Sequence, residues 1–152
     1  MGAASSWKVY NEFLATLGQK VVSLNAADTV KMALFLSTSN CGNQGLTTAQ
    51  YATLTNQVAN ANGYTTAGVT VAATWTQASG TLTFTCANGV WNASGGSITA
   101  RYAVIYDNST PNKDLICYCL LDSTPADVTA VDGTPLIVSI NANGIFTASQ
   151  TS

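Results

Sequence analysis

The chain has 152 residues, of which 47% are hydrophobic and only 8% are charged, with a formal net charge of −2. A single domain of this length buries enough surface to fold without a metal or a disulfide, and the hydrophobic share excludes a disordered chain. The five basic residues are scattered, which excludes the cluster that nucleic-acid binding requires. No apolar run approaches the roughly 20 residues of a membrane span. So few charges are typical of a protein that packs into a lattice or acts outside a cell.

Helical patterns are confined to the first 60 residues. Apolar side chains recur at spacings of three and four over residues 5–17, which predicts a helix ending at Gly18. A second helix is predicted over residues 47–59, where Thr47 and Gln50 have the spacing of a capping box. Residues 1–6, MGAASS, are predicted to be a flexible tail. They lack the basic and apolar regions of a signal peptide, so we expect a protein made in a cytoplasm.

The remaining residues have the alternation and the turn signals of β-strands. Residues 29–36 alternate and then become wholly apolar, as in a strand that enters a core. Three hairpins are predicted, joining 69–77 with 81–86, 98–107 with 115–121, and 136–140 with 145–147. The sequence therefore predicts one mainly β domain over residues 1–152. Its expected fold is an antiparallel β-sandwich, or a jelly-roll-like relative, with one or two short helices in the N-terminal 60 residues.

Four cysteines, Cys41, Cys86, Cys117 and Cys119, are present in a chain without histidine. In a strand, the C-x-C pair at 117 and 119 points to one face at a separation of about 7 Å, too far to pair internally. Without histidine this pair has no partner for the usual mixed zinc site. We expect four buried, reduced thiols, with a disulfide that involves Cys41 or Cys86 as the alternative.

The titratable residues do not form a recognisable catalytic motif. The absence of histidine removes the commonest general base, and no nucleophile elbow, Walker A or Rossmann fingerprint occurs. Asp122, Asp127 and Asp132 lie in one segment without EF-hand spacing, so turn capping is expected, with a cation site as the alternative. We predict no enzyme, no cofactor and no metal. A glycosidase would need two carboxylates brought together in a cleft.

Arg101 falls in the middle of the most apolar predicted strand. A guanidinium there is compatible with burial only when it has a partner. Asp107 or Asp122 is expected to supply a structural or interface salt bridge.

Three aromatic residues are candidates for contact with a partner or ligand. Trp91 follows Asn88-Gly89-Val90 in a predicted loop and is the better candidate for a surface position, and Tyr64 and Trp7 are further candidates. Trp75 lies in a strand and is expected in the core. Exposed aromatic rings are also what a carbohydrate-binding adhesin would use.

The chain resembles a group of known proteins in the order of five segments along residues 7–149. The segments are WKVYNEFLATLGQKVVSLNAADTVKMALF, QVANANGYTTAGVTV, GVWNASGGSITARYAVIYD, LICYCLLD and LIVSINANGIFTAS. Their order resembles small virion structural proteins of tailed bacteriophages. The group supplies no catalytic residues to carry over.

The resemblance implies a β-sandwich protein that coats or cements the outside of a phage head shell at capsomer junctions. Its expected partner is the major capsid protein, and its expected location is the capsid surface. A homo-oligomer, trimer or dimer, would match the local symmetry axes of a shell. A neck or tail accessory protein is also compatible with the resemblance, and an adhesin is the alternative of a different class.

Overall fold

The computed structural model describes residues 3–149 and is mainly β, as predicted. Its helices are α1 (Asn11–Gly18) and two short 3-10 helices, Asn40–Gly42 and Tyr51–Thr53. Its strands are β1 (Lys8–Val9), β2 (Val30–Phe35), β3 (Val69–Thr70), β4 (Ala73–Ala78), β5 (Thr81–Cys86), β6 (Gly89–Asn92), β7 (Ile98–Ala100), β8 (Tyr102–Asp107), β9 (Leu115–Leu120), β10 (Val128–Ala130), β11 (Pro135–Val138) and β12 (Phe146–Ser149). No helix in this part of the chain is long and apolar enough to cross a membrane.

A five-stranded antiparallel sheet, in the order β1-β9-β8-β2-β3, forms the centre of the fold. Strands β2, β8 and β9 are buried along almost their whole length. Their near-continuous apolar sequences are typical of strands that are covered on both faces. Three smaller antiparallel sheets complete the structure, in the orders β12-β5-β4, β11-β6 and β10-β7. The arrangement is that of a β-sandwich with a divided second layer.

The two faces of the central sheet have different coverings. On one face Tyr51 stacks on Tyr106 with ring centroids 4.4 Å apart, and Tyr10 packs on Tyr118 at 5.1 Å. On the other face β6 approaches β2 so closely that a Cβ added at Gly89 would lie 2.5 Å from the sulfur of Met32. A side chain at this position would displace the side chains of Met32 and Trp91, so Gly89 allows the two layers to pack at the distance seen.

Several predicted strands are confirmed. Strand β2 matches the prediction for residues 29–36, and β8 and β9 form the predicted hairpin. Strands β4 and β5 form another, closed by Ser79 and Gly80, although the strand predicted over 69–77 divides into β3, which pairs with β2, and β4. Both residues of that turn have positive φ, 50° and 79°, as the commonest two-residue hairpin turn requires.

The helix predicted over residues 47–59 is wrong. Only Tyr51–Thr53 is helical, as a single 3-10 turn. The backbone at its start and beyond its end bonds to distant parts of the chain: the Tyr51 N–H donates to the Lys113 carbonyl, and the Val58 N–H donates to the Leu34 carbonyl in β2. The threonines of this segment favour such extended pairing over a helix.

The first helix is shorter than predicted, and two strand pairings differ. Helix α1 starts at Asn11, because Lys8 and Val9 pair with β9. The hairpin predicted between 136–140 and 145–147 is wrong, since β11 pairs with β6 and β12 pairs with β5. The single strand predicted over 98–107 divides at Arg101 into β7 and β8, which belong to different sheets.

Candidate binding groove

The N-terminal segment forms one wall of a groove on the surface of the sandwich. The Ser5 N–H donates to the Leu120 carbonyl, and the Leu120 N–H donates to Ser5 Oγ, both at 2.9 Å. The Ser123 N–H donates to the Ala3 carbonyl at 2.8 Å. Residues 3–5 are therefore held against β9, whereas the flexible tail predicted for residues 1–6 stays a prediction. Met1 and Gly2 lie outside the described residues.

The opposite wall of the groove is formed by β11 and the loop at residues 139–145, and the enclosed volume is about 680 Å³. This volume lies within the range of ligand-binding clefts. The floor is apolar and consists largely of the buried residues Cys119, Leu121, Leu136, Val138 and Ile145. Ile137 lies between Leu136 and Val138 on β11; it also lines the groove, but it is turned away from the floor and is 52% exposed.

The groove is uncharged. Among the described residues that line it there is no Asp, Glu, Lys or Arg, and the polar positions are the serine and asparagine residues Ser5, Ser6, Ser139, Asn141 and Asn143. An apolar floor with neutral hydrogen-bonding groups at its edges favours the binding of a polypeptide segment that carries apolar side chains and has free backbone or amide groups. Such a lining gives little attraction to a phosphate or to any other strongly charged ligand.

Of the three predicted contact residues, only Trp7 lies at the groove. It is partly exposed and belongs to the N-terminal wall. Trp91 and Tyr64 are each 2% exposed, so the prediction of a surface position is wrong for Trp91, and Tyr64 is likewise in the core. Trp91 belongs to β6 rather than to a loop. The alternation from Gly89 to Asn92 turns Val90 outwards and Trp91 inwards.

Tyr64 has a structural role instead. Its hydroxyl oxygen accepts hydrogen bonds from the Leu34 N–H, at 3.0 Å, and from Gln57 Nε2, at 2.7 Å. Strand β3 pairs only with Lys31 and Met32 of β2, so the Leu34 N–H lies beyond the end of that pairing. Tyr64 thus ties the 57–64 loop to the middle of the central sheet.

Ile137 was not among the predicted contact residues, although the sequence pattern that indicates its exposure is visible. In the run LIVSI, a strand that buries Leu136 and Val138 must turn Ile137 to the opposite side.

Trp75 was expected in the core and is half-buried, packed on Phe84 and Phe146 with ring centroids 6.0 and 5.7 Å away.

All four cysteines are free and buried, which confirms the predicted reduced thiols. Burial raises the pKa of Cys86 and of Cys119 to about 12 and that of Cys41 to about 11. It also raises the pKa of Cys117 well above the ordinary value. The thiol of Cys119 in the groove floor is therefore protonated at neutral pH and acts as an apolar group.

The three aspartates considered as a cation site serve local structure. Asp122 Oδ1 accepts from the Thr124 N–H and hydroxyl, and Asp132 Oδ1 accepts from the Gly95 N–H. Asp127 pairs with Arg101. Within residues 3–149 no group of three or more Cys, Asp or Glu side chains is placed to hold a metal ion.

The predicted partner of Arg101 is also corrected. Arg101 Nε donates to Asp127 Oδ1 at 2.7 Å, rather than to Asp107 or Asp122. Asp127 directly precedes β10, which pairs with β7, so the division of the strand at Arg101 brings the two side chains together. Asp107 lies at the far end of β8 and accepts from the Ser109 N–H.

Comparisons with protein-family models, with curated proteins and with solved structures find no match to this chain. The groove is therefore interpreted from its own chemistry. That chemistry is an uncharged lining, an apolar floor and an exposed aliphatic side chain, Ile137, on the strand that forms one wall.

Proposed function

We propose that this chain is a structural protein of a bacteriophage particle that attaches to the outside of the head shell and cements it at capsomer junctions. The observation that carries the proposal is the uncharged groove between the N-terminal segment and β11. The proposed identity of the particle rests on the order of sequence segments, which resembles that of small phage virion proteins. The proposed partner is the major capsid protein.

A segment of the capsid protein would lie in the groove with its apolar side chains on the floor. Ser139, Asn141 and Asn143 offer neutral hydrogen-bonding groups to the backbone of that segment. Ile137 and Trp7, which also line the groove, would add apolar contact at its walls. Binding of this kind depends on buried area and shape, so we expect little dependence on salt concentration.

Attachment to a shell makes weak individual contacts sufficient. Copies bound at many equivalent junctions add buried area across the joints that internal pressure would open. A copy that contacts two capsomers also binds more tightly, because its second contact forms at a high effective concentration. The protein would be made in the host cytoplasm and would act in the virion. We propose no enzymatic activity, which is in keeping with a groove that brings no pair of carboxylates together.

The proposal is tested by mixing the purified protein with undecorated head shells, sedimenting the shells and imaging them by electron cryo-microscopy. Two variants with matched chemistry distinguish the groove from the rest of the surface. Ile137→Lys places a charge beside the groove, whereas Leu14→Lys places the same charge on α1 at a side chain that is 63% exposed and does not line the groove. Thermal unfolding of both variants checks that they fold.

We expect regular density on the shell with the wild-type protein and with Leu14→Lys, and a bare shell with Ile137→Lys. Wild-type protein that stays entirely in the supernatant would overturn the shell proposal. Binding to isolated necks or tails in the same assay would then favour the accessory role. If both variants bind like the wild type, the attachment surface lies outside the groove.

A further inference from the structure

Strand β4 forms one edge of the sheet β12-β5-β4, and in the described part of the chain no strand pairs with its outer side. A free edge presents unpaired N–H and C=O groups to any other strand, and natural proteins usually block it. The usual devices are a charge, a proline, a bulge or a very short strand. Strand β4 has none of them: it is six residues long, its sequence is ATWTQA, and its register with β5 is unbroken.

The outward groups of β4 can be assigned from the hairpin. In a two-residue hairpin the closing pair, Ala78 and Thr81, exchanges hydrogen bonds, and every second pair along the ladder does the same. The bond from the Ala87 N–H to the Ala72 carbonyl, at 2.8 Å, fits this alternation. The N–H and C=O groups of Ala73, Trp75 and Gln77 therefore point away from β5, to the open side.

Charge does not protect this edge. The sequence has no Asp, Glu, Lys or Arg from residue 32 to residue 100, and none from residue 133 to the end. Strands β4, β5 and β12 and the turn between β4 and β5 are therefore wholly neutral. A second copy of the same edge meets no electrostatic repulsion, whereas a lysine in this position would prevent the approach.

We infer that β4 pairs antiparallel with β4 of a second copy of this chain, about a twofold axis at Trp75. A twofold axis at Trp75 places Thr74 of one copy opposite Thr76 of the other, so that threonine faces threonine on both sides of the axis. Cross-strand threonine pairs of this kind stabilise antiparallel sheets. Ala73, Trp75 and Gln77 then each exchange two backbone hydrogen bonds with the opposing strand.

The pairing joins two three-stranded sheets into one sheet of six strands. It brings the two Trp75 side chains side by side, where each covers part of the ring that the single chain leaves exposed. The contact is isologous and closes at two copies. It specifies the dimer among the expected homo-oligomers, and it does not require the shell attachment proposed above, because it is measured on the purified protein without shells.

Two lysine variants isolate the β4 edge. Thr76, Thr83 and Thr147 form one cross-strand row, with Thr76 on β4 and Thr147 on the opposite edge strand β12. Both edge residues are exposed. Thr76→Lys sets like charges about 7–8 Å apart in the dimer, at the spacing of diagonal neighbours. Thr147→Lys adds the same charge to the same face at the far edge and is the control.

A third variant removes a hydrogen-bond donor without adding charge. Gln77→Pro deletes an N–H that points to the open side, so it leaves the ladder to β5 intact, and edge strands tolerate proline at such a position. Gln77→Ala keeps the N–H and is its control. Circular dichroism of each variant establishes that the fold is kept.

The dimer is measured by analytical ultracentrifugation over a range of concentrations. We expect a dimer for the wild type, Thr147→Lys and Gln77→Ala, with a dissociation constant raised at least about tenfold, or about 1.4 kcal/mol, by Thr76→Lys and by Gln77→Pro. Amide exchange followed by NMR adds a residue-level test. The amides of Ala73, Trp75 and Gln77 should become protected as the dimer forms, while those of Thr74 and Thr76 are protected in both states.

The inference is overturned if the wild type is monomeric at all concentrations, or if Thr147→Lys weakens association as much as Thr76→Lys. It is also overturned if association proceeds to open polymers, which would indicate pairing of β4 with β12 of the next copy. Each of these outcomes leaves the shell-binding result of Ile137→Lys unaffected.

Discussion

Arg101 Nε donates to Asp127 Oδ1 at 2.7 Å, at the point where the chain passes from the β7–β10 sheet into the central sheet. The backbone of Arg101 already belongs to the central sheet, since its N–H donates to the Phe35 carbonyl and its carbonyl accepts from the Leu121 N–H. The guanidinium reaches back to the residue before β10. One residue thus bonds to both layers of the sandwich.

The Arg101–Asp127 pair is expected to contribute little to stability, in spite of its position. The side chains are 21% and 44% exposed, so water screens their attraction. A double-mutant cycle with Arg101→Ala and Asp127→Asn, followed by chemical denaturation, should give a coupling energy of about 0.2–1 kcal/mol that decreases as salt is added. A coupling energy well above this range would show that the pair behaves as a buried one.

Tyr64→Phe removes only one oxygen atom, but it should lower the free energy of unfolding substantially. It leaves the buried Leu34 N–H and the partly buried Gln57 Nε2 without their acceptor. We expect the free energy of unfolding to fall by about 1–3 kcal/mol. Tyr118→Phe is the control, because the Tyr118 hydroxyl forms no hydrogen bond with the described residues. Equal losses in the two variants would contradict the role assigned to Tyr64.

Asp107 should make the protein more stable as the pH falls towards 4. Burial raises the pKa of its carboxyl above the ordinary 3.8; the Ser109 N–H opposes this shift, and the nearby carboxylates of Asp28 and Asp114 add to it. Because the folded-state pKa is the higher one, the stability that protonation gives is complete below the unfolded-state pKa. It is lost as the pH rises through the folded-state pKa.

The effect of Asp107 is measured as the free energy of unfolding from neutral pH down towards pH 4, for the wild type and for Asp107→Asn. The variant keeps an oxygen acceptor for the Ser109 N–H but cannot ionise. We expect the difference in stability between the two proteins to favour the variant at neutral pH and to shrink on acidification. A difference that is independent of pH would contradict the raised pKa.

The parts of the fold that the sequence predicts are those determined by neighbouring residues. Strand β2 follows from its apolar run, and the β4–β5 hairpin follows from the short turn predicted at residues 78–80, of which Ser79 and Gly80 form the turn in the structure. Both signals act over a few residues, so no knowledge of the rest of the chain is needed.

The failures concern partners that are distant in sequence. The pairing of β11 with β6 joins residues more than 40 positions apart, and local alternation does not specify which strand a run will choose. The predicted helix over 47–59 failed for the same reason, because its backbone groups bond to Leu34 and Lys113. The groove was not predictable either, since its two walls come from opposite ends of the chain.

The four buried thiols give the last prediction, which concerns reactivity. Burial raises the pKa of Cys86 and Cys119 to about 12, so almost no thiolate, the reactive form, is present at neutral or mildly alkaline pH. A thiol reagent such as an aromatic disulfide should therefore label the native wild type only as fast as the protein opens, and should label all four thiols in denaturant. Ala26→Cys places a thiol at an exposed turn and should add one promptly reactive group. Prompt labelling of the native wild-type protein would contradict the burial of the cysteines.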